Sequence, residues 1–335
     1  MKALVYTGRG TMEYRDAPDP VPADGEVLVR VAAVGICGSD MHAYHGHDER
    51  RPAPLVLGHE AAGVVVAGGR AGQRVAVNPL VTCGRCEFCL DGRSHLCPGR
   101  QILSMPPRPG AFAELVRVPE SNAVALPPGM AMTAAALAEP VAVAWHAARN
   151  GVGLLRRPLA AARCAVLGGG AIGLAAALVL VHFGAKDVWV AEPNAGRRAT
   201  VAEAGPLRAY APGADGACPD GTAHLVIDAV GSNVTRASAC TLARPGGVIV
   251  HVGLLPGQEG LDIRRITLQE ITVIGSYCYT HVDFTEVVAA LAAGQLGPLA
   301  WVEERPLADG VQAFHDLDAG TVSAAKIALR PAAID

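Results

Sequence analysis

The spacing of hydrophobic and polar positions changes near the middle of the chain. Up to about residue 138, apolar residues form short runs or alternate with polar ones between Gly/Pro turns, as at 27–31 and 61–66. Such runs are typical of strands and carry little helical periodicity. From about residue 151 the pattern becomes strand, glycine turn and helix, repeated. This order predicts a mostly β first half and a doubly wound parallel sheet in the second.

The strands predicted for the parallel sheet are the apolar runs at 164–167, 188–191, 225–228, 247–251 and 271–274. Helices are predicted between them at 174–183 and 234–242. One further strand is poorly marked, because prolines and glycines interrupt residues 206–219. The expected fold class is therefore α/β, with a β-rich domain beside the sheet.

After the last of these strands the chain is predicted to return to the first half. Asp283 and Glu286 have the spacing of a capping box, which would open a helix, and the stretch 326–329 would supply a closing strand. A chain of 335 residues exceeds the size at which a single core stops growing, so two domains are expected. The predicted boundaries are a catalytic domain of residues 1–138, to which 276–335 returns, and a dinucleotide-binding domain of residues 139–275.

A glycine-rich GxGxxG motif follows the first strand of the predicted sheet and opens a helix. Its candidate cofactor-binding residues are Gly168, Gly170, Ile172 and Gly173. Glycines there let the backbone approach a pyrophosphate at the helix N-terminus. The next strand ends in Glu192, an acid that can hold a ribose 2′-hydroxyl and would repel a 2′-phosphate. NAD is therefore favoured over NADP, although Arg197 lies five residues later and weakens that preference.

Four cysteines fall in one polar segment with gaps of two, two and seven residues: Cys83, Cys86, Cys89 and Cys97. Four thiolates from one lobe close a tetrahedral site without an open position, which is typical of structural zinc. An iron–sulfur cluster needs the same four ligands and stays an alternative. A nucleic-acid zinc module is disfavoured, because Arg85 and Arg93 are balanced by nearby acidic residues.

A second cluster of chemically active side chains occupies residues 35–42, a stretch with a thiol, a hydroxyl, a carboxylate and an imidazole: Cys37, Ser39, Asp40 and His42. Cys37 suits a zinc ion, and His59 in the sequence Gly-His-Glu is the next candidate ligand. Taken singly, a cysteine such as Cys37 is more often a small buried core residue, and His59 could equally be a hydrogen-bonded core imidazole. Glu139, which precedes Pro140 in an alanine-rich run, is either exposed or paired with a cation.

Composition narrows the possible partners. Hydrophobic residues make up 51% of the chain and the formal net charge is −3, with basic residues scattered, so neither nucleic acid nor a membrane surface is an expected partner.

Residues 165–181 are apolar and nearly long enough to span a bilayer, but the glycine motif within them favours a buried strand, turn and helix. The N-terminus enters a strand pattern without a signal region, which predicts the cytoplasm.

Together these motifs resemble the medium-chain, zinc-dependent alcohol and polyol dehydrogenases, a family that includes sorbitol, butanediol and threonine dehydrogenases. The resemblance covers essentially the whole chain and rests on residues 35–42, the Gly-His-Glu at 58–60, the four-cysteine lobe and the glycine motif, in the family's order. It implies a GroES-like catalytic domain beside a Rossmann domain. It also implies a homo-oligomer, either a dimer or a tetramer.

The resemblance assigns roles to the clustered residues. It implies two zinc ions per chain: a structural one in the four-cysteine lobe, and a catalytic one bound by Cys37 and His59. Glu60 would be a further or alternating ligand, and Glu139 matches a position where polyol dehydrogenases carry a glutamate. Two residues would move the substrate proton, with Ser39 accepting it and His42 passing it on near the surface. Asp40 would orient His59.

The expected function is therefore NAD-linked interconversion of a secondary alcohol or polyol and its ketone by hydride transfer. Ser276-Tyr277 stands where sorbitol dehydrogenases tend to carry Arg-Tyr, which argues against sorbitol itself. The alternatives are an amino-alcohol or threonine-type dehydrogenase, a non-catalytic redox or metal sensor on the same fold, and an interaction module built on the four-cysteine lobe.

Overall fold

Strands dominate the first part of the computed structural model, which describes residues 1–331. Residues 332–335, the end of the predicted returning segment, lie outside the described part. The elements are β1 (Lys2–Gly8), β2 (Thr11–Asp16), β3 (Glu26–Gly35), α1 (Gly38–Tyr44), β4 (Leu55–Val56), β5 (Glu60–Ala67), β6 (Arg74–Val77), β7 (Leu80–Val81), α2 (Glu87–Leu90), β8 (Gln101–Ile102), β9 (Leu115–Pro119) and β10 (Ala123–Ala125). The larger sheet contains β10, β6, β5 and β3 in that order, with β9 also paired to β3. Its inner face buries apolar side chains such as Val29, Val31 and Val75 completely.

Two helices connect this domain to the next: α3 (Met132–Ala136) and α4 (Ala138–Gly153). Pro140 would break or kink a continuous helix through this alanine-rich run, and the chain does break close to it, at Leu137. Pro140 then lies in the first turn of α4, where the missing N–H removes no helical hydrogen bond. Glu139 is consequently placed in the first turn of a helix and is buried.

The second domain alternates strands and helices. Its elements are β11 (Arg163–Leu167), α5 (Ala171–His182), β12 (Asp187–Ala191), α6 (Ala195–Ala204), β13 (Arg208–Tyr210), β14 (Ala223–Asp228), α7 (Asn233–Leu242), β15 (Ala243–His251), α8 (Ile263–Leu268) and β16 (Thr272–Gly275). All neighbours pair in parallel, in the order β13–β12–β11–β14–β15–β16, so the predicted doubly wound sheet is confirmed. The poorly marked strand, β13, is three residues long and lies at an edge of the sheet.

The last described elements are α9 (His281–Ala292), β17 (Val302–Pro306), α10 (Gly310–Asp318) and β18 (Lys326–Arg330). Strand β18 pairs with β3, so this part of the chain re-enters the larger sheet of the first domain. Helix α9 instead contributes Phe284 and Val287 to the same buried core as α4. The expected cap at Asp283 is wrong by three residues. Thr280 caps α9, because its hydroxyl accepts from the Asp283 N–H at 3.1 Å and Asp283 accepts from the Thr280 N–H at 2.9 Å.

The apolar stretch 165–181 forms part of β11 and most of α5, both of which bury apolar side chains inside the second domain. No helix within residues 1–331 is long and apolar enough to cross a membrane.

Candidate active site and cofactor cleft

The structure brings Cys37, His59 and Glu60 together. Cys37 precedes α1 at the end of β3, and the other two residues stand where β5 begins. Because β3 and β5 are antiparallel and pair Gly35 with Glu60, the ends of the two strands meet. One ligand atom from each of the three side chains lies within 4.8 Å of the others. A thiol, an imidazole and a carboxylate at this separation form a donor set that suits zinc.

Glu60 is held by a residue that the sequence analysis did not single out. Lys326 Nζ donates to Glu60 Oε1 at 2.7 Å and to the Ile36 carbonyl at 2.8 Å, and both charged side chains are buried. Burial lowers the pKa of Lys326, but the Glu60 carboxylate outweighs that effect and raises it. Glu60 Oε2 is buried without a hydrogen-bond partner within residues 1–331. This unpaired oxygen fits a carboxylate that has one atom left for a metal ion.

Any residue other than glycine at position 35 would displace the Glu60 carboxylate. A Cβ there would lie 2.0 Å from Glu60 Oε2, far inside van der Waals contact. The close approach of β3 to the carboxylate therefore depends on the absence of a side chain.

His59 is oriented by polar groups on its Nδ1 side. Asp40 Oδ1 lies 3.7 Å and Ser104 Oγ 3.4 Å from that nitrogen. Burial lowers the pKa of His59, but the carboxylate of Asp40 prevails and raises it well above its usual value. Asp40 is itself fixed, because it is fully buried and accepts from the Cys37 N–H at 2.9 Å. With Nδ1 engaged on this side, Nε2 is the nitrogen left for a metal, as in most metal-bound histidines.

Glu139 does not join the cluster of three. Its carboxylate lies outside the group of atoms within 4.8 Å, and its Oε1 accepts from the Tyr279 hydroxyl at 3.0 Å. Burial raises the pKa of Glu139 to about 7, against the opposing effect of His59. Of the two candidate carboxylates, Glu60 is the one placed beside the thiol and the imidazole, and Glu139 as a direct ligand stays a prediction.

Ser39 and His42 lie three residues apart on α1, a spacing that puts their side chains on one face of the helix. Arg51, which the sequence analysis missed, is buried and donates to Ser39 Oγ at 3.3 Å. Its charge is balanced by Asp48 at 2.7 Å. His42 is half-buried, and this burial lowers its pKa, which favours the neutral imidazole near pH 7.

The four cysteines predicted to bind structural zinc also converge. One sulfur from each of Cys83, Cys86, Cys89 and Cys97 lies within 4.8 Å of the others, and none forms a disulfide. Four convergent thiols with little apolar packing around them fit a closed tetrahedral metal site. Cys83 is exposed and only Cys97 is buried, so these are not four core cysteines.

The glycine motif and Glu192 line a cleft at the carboxyl ends of the parallel strands. A Cβ on Gly173 would lie 1.9 Å from the Gly168 carbonyl oxygen, so the turn needs glycine there. Glu192 is buried, and its two oxygens accept from the N–H groups of Gly169 and Asn194, each at 2.8 Å. Arg197 faces the same cleft, and its Nε is buried without a partner within residues 1–331.

Two adjoining cavities run from this cleft to the cysteine. One of about 990 Å³ extends from Gly168, Glu192 and Arg197 outward over α7. The other, of about 350 Å³, shares those three residues, passes Gly170, Ile172 and Gly173, and reaches Cys37 and Lys326. Cys37 and the nucleotide-binding turn thus line the same cavity.

Comparison with known proteins agrees with this arrangement. The family models for an alcohol dehydrogenase GroES-like domain and a zinc-binding dehydrogenase match residues 23–128 and 171–293. L-galactonate-5-dehydrogenase of Escherichia coli is 33% identical over 88% of both chains. Sorbitol dehydrogenase of Bacillus subtilis is 32% identical over 88% of this chain and 86% of that one. The chain belongs to the zinc-type medium-chain alcohol and polyol dehydrogenases, which confirms the resemblance, and it is an alcohol or polyol oxidoreductase.

Solved structures extend the comparison to the cofactor. An Escherichia coli alcohol dehydrogenase complexed with NADH is 28% identical with a TM-score of 0.88, over 98% of this chain and 99% of that one. A zinc-binding dehydrogenase from Sinorhizobium meliloti bound to NADP is 29% identical with a TM-score of 0.87, over 98% and 99%. Proteins of this fold thus hold either nicotinamide cofactor.

Replacing Lys326 with Met should destabilise the protein by about 3–5 kcal/mol, because Glu60 would keep a buried charge without a partner. The double variant Lys326→Met/Glu60→Gln, which removes both charges, should recover about 2 kcal/mol or more of that loss. Urea unfolding of the variants in the presence of a metal chelator, where no ion can compensate the charge of Glu60, measures both values. Equal stability of the single and double variants would contradict a functional pairing of the two residues.

Proposed function

We propose that this oxidoreductase interconverts a secondary alcohol or polyol and its ketone with zinc at Cys37, His59 and Glu60, and with NAD in the adjoining cleft. The observation that carries the proposal is the shared cavity, which is lined by the glycine turn at one end and by Cys37 at the other. A substrate oxygen near the cysteine and a nicotinamide anchored at the turn would therefore meet in one place.

When bound, zinc supplies Lewis acidity that can lower the pKa of a hydroxyl ligand, water's falling to about 7, and nicotinamide supplies the hydride acceptor. The chain's own residues orient the metal ligands and transfer protons. Asp40 and Ser104 fix the ring of His59, and Lys326 fixes one oxygen of Glu60. Ser39 accepts the substrate proton as its own hydroxyl proton is passed on, and His42, half-buried one turn further along α1, releases a proton to solvent.

The two metal sites should respond differently to loss of one cysteine. Cys37→Ser should lower bound zinc from two ions per chain to one and abolish activity, with the melting temperature close to wild type. Cys89→Ser should also remove one zinc but lower the melting temperature, because a closed four-thiolate site stabilises its lobe. Metal analysis and thermal melts check both. Full turnover in Cys37→Ser would refute its role as a ligand.

NAD is proposed as the preferred cofactor on the basis of charge. The Glu192 carboxylate lies in the cleft that would hold the ribose, and a negative charge there disfavours a 2′-phosphate. Arg197 opposes this effect from the same cleft. The Glu192 side chain is more firmly positioned than that of Arg197. Two backbone N–H groups donate to the Glu192 carboxylate, whereas Arg197 Nε has no partner within residues 1–331.

Glu192→Ala should reduce the ratio of kcat/KM with NAD to that with NADP by about tenfold, equivalent to about 1.4 kcal/mol. The matched control is Glu203→Ala, which removes an exposed carboxylate from α6, outside the cleft. The ratio should not change in the control. An unchanged ratio in Glu192→Ala, or equal use of both cofactors by the wild type, would overturn the assignment.

An absorbance screen for NADH formation tests the function as a whole. The panel should include neutral polyols and sugar acids, since the relatives named above act on sorbitol and L-galactonate, together with simple secondary alcohols, threonine and amino alcohols. We expect turnover with a polyol or sugar acid. Turnover with threonine alone would favour the amino-alcohol alternative, and no NADH from any compound would favour the sensor.

A homo-oligomer is proposed as the working state. Strand β16 lies at an edge of the parallel sheet, where its unpaired backbone groups can accept another strand. Large apolar side chains of the neighbouring segment are exposed, including Leu254 at 70%, Ile263 at 63% and Leu268 at 65%. An unpaired edge beside an apolar patch supports association of two copies through this surface.

A further inference from the structure

A second group of basic side chains lies at the opposite end of the parallel sheet from the cofactor cleft. Arg163 begins β11, while His224 and Arg244 are the second residues of β14 and β15. Together with Thr222 they line a cavity of about 470 Å³. Because β11 runs for five residues, this cavity is roughly 16 Å from the glycine turn, at about 3.3 Å per residue. It is separate from the site already discussed.

Three N–H donors converge on the two ring nitrogens of His224. The backbone N–H of Arg163 lies 2.9 Å from Nδ1, and Arg244 Nη1 lies 2.7 Å from Nε2. Arg157 Nη1 contacts the same Nε2. A neutral imidazole has one acceptor nitrogen and an imidazolium has none. Whatever the protonation state of His224, at least two of these three donors have no acceptor on the ring.

The charges around the ring are also unbalanced. Within residues 1–331, no carboxylate forms an ion pair with Arg157 or Arg244. Asp187, the acidic residue in the described lining of the cavity, is shared between Arg163 at 2.8 Å and Arg208 at 3.4 Å. Burial and the adjacent Arg157, Arg244 and Arg163 lower the pKa of His224, which keeps its ring neutral at pH 7.

A neutral His224 whose Nδ1 accepts from the Arg163 N–H carries its proton on Nε2. Nε2–H and the guanidinium groups of Arg157 and Arg244 then form three donors and two positive charges around one point. Donors in such an arrangement repel one another, and an anion that accepts from all of them relieves the repulsion.

We propose that this cavity binds a small oxyanion of the phosphate type, whose oxygens accept from Arg244 and His224 Nε2 in its lining and from Arg157, which lies outside the lining but contacts His224. Guanidinium groups match such oxygens in geometry as well as charge. The anion is either free phosphate or the phosphate group of a small metabolite, since both present the same oxygens. The inference is independent of the proposed function, because none of these residues lines the cofactor cleft.

Calorimetric titration of the zinc-loaded enzyme with inorganic phosphate, and separately with glycerol 3-phosphate, tests the proposal. The enzyme is saturated with NADH, so that the cofactor's own phosphate positions are filled, and ionic strength is held constant with chloride. The test variant is Arg157→Gln/Arg244→Gln. The control Arg156→Gln/Arg9→Gln removes the same charge from exposed positions, one of them adjacent to Arg157.

We expect the wild type and the control to bind at least one of the two probes, and the test variant to bind it at least about tenfold more weakly, as loss of charged hydrogen bonds requires. Phosphate should raise the melting temperature of the wild type and not of the test variant. In chloride alone the test variant should be no less stable than the wild type, because it removes two repelling charges. Equal affinity in the test variant, or no binding to the wild type, would overturn the proposal.

Discussion

The antiparallel pairing of β3 with β5 is the constraint on which the candidate site depends. It sets Gly35 opposite Glu60, and this close approach brings Cys37 from one strand end to His59 at the other. Glu60 then has to be buried, and a buried carboxylate is stable only with a partner. Lys326 supplies that partner from β18. An ion pair therefore links the last described strand to the larger sheet of the first domain, in addition to its pairing with β3.

The second domain contributes the other half of the site through the geometry of a parallel sheet. Because all its strands run in the same direction, the glycine turn after β11 and Glu192 after β12 both lie at the carboxyl end of the sheet. This end of the sheet faces Cys37 across a cavity of about 350 Å³. The first domain holds the metal ligands and the second holds the nucleotide turn. The proposed chemistry therefore depends on these two groups of residues lying close together.

Residues with strong chemical signatures could be found from the sequence. Ligand types at fixed spacing identified the four-cysteine lobe, and the glycine motif identified the nucleotide turn because a strand and a helix flanked it. Lys326 could not be found, because its role depends on contact with Glu60, 266 positions away, and it looked like the start of an ordinary strand. Arg51 was missed for the same reason, since its burial against Ser39 follows from how the loop folds. The cap of α9 was misplaced, because Thr280 and Asp283 satisfy the same spacing rule as Asp283 and Glu286.

The proposed chemistry requires that Cys37 and His59 hold one metal ion at the mouth of the cofactor cleft. X-ray diffraction at the zinc absorption edge, from crystals of the zinc-loaded protein, tests it most directly. We expect an anomalous peak about 2.3 Å from Cys37 Sγ and about 2.0–2.1 Å from a ring nitrogen of His59, in addition to a peak among the four cysteines of the lobe. A single peak in the lobe, with nothing between Cys37 and His59, would rule out a metal ion at this site.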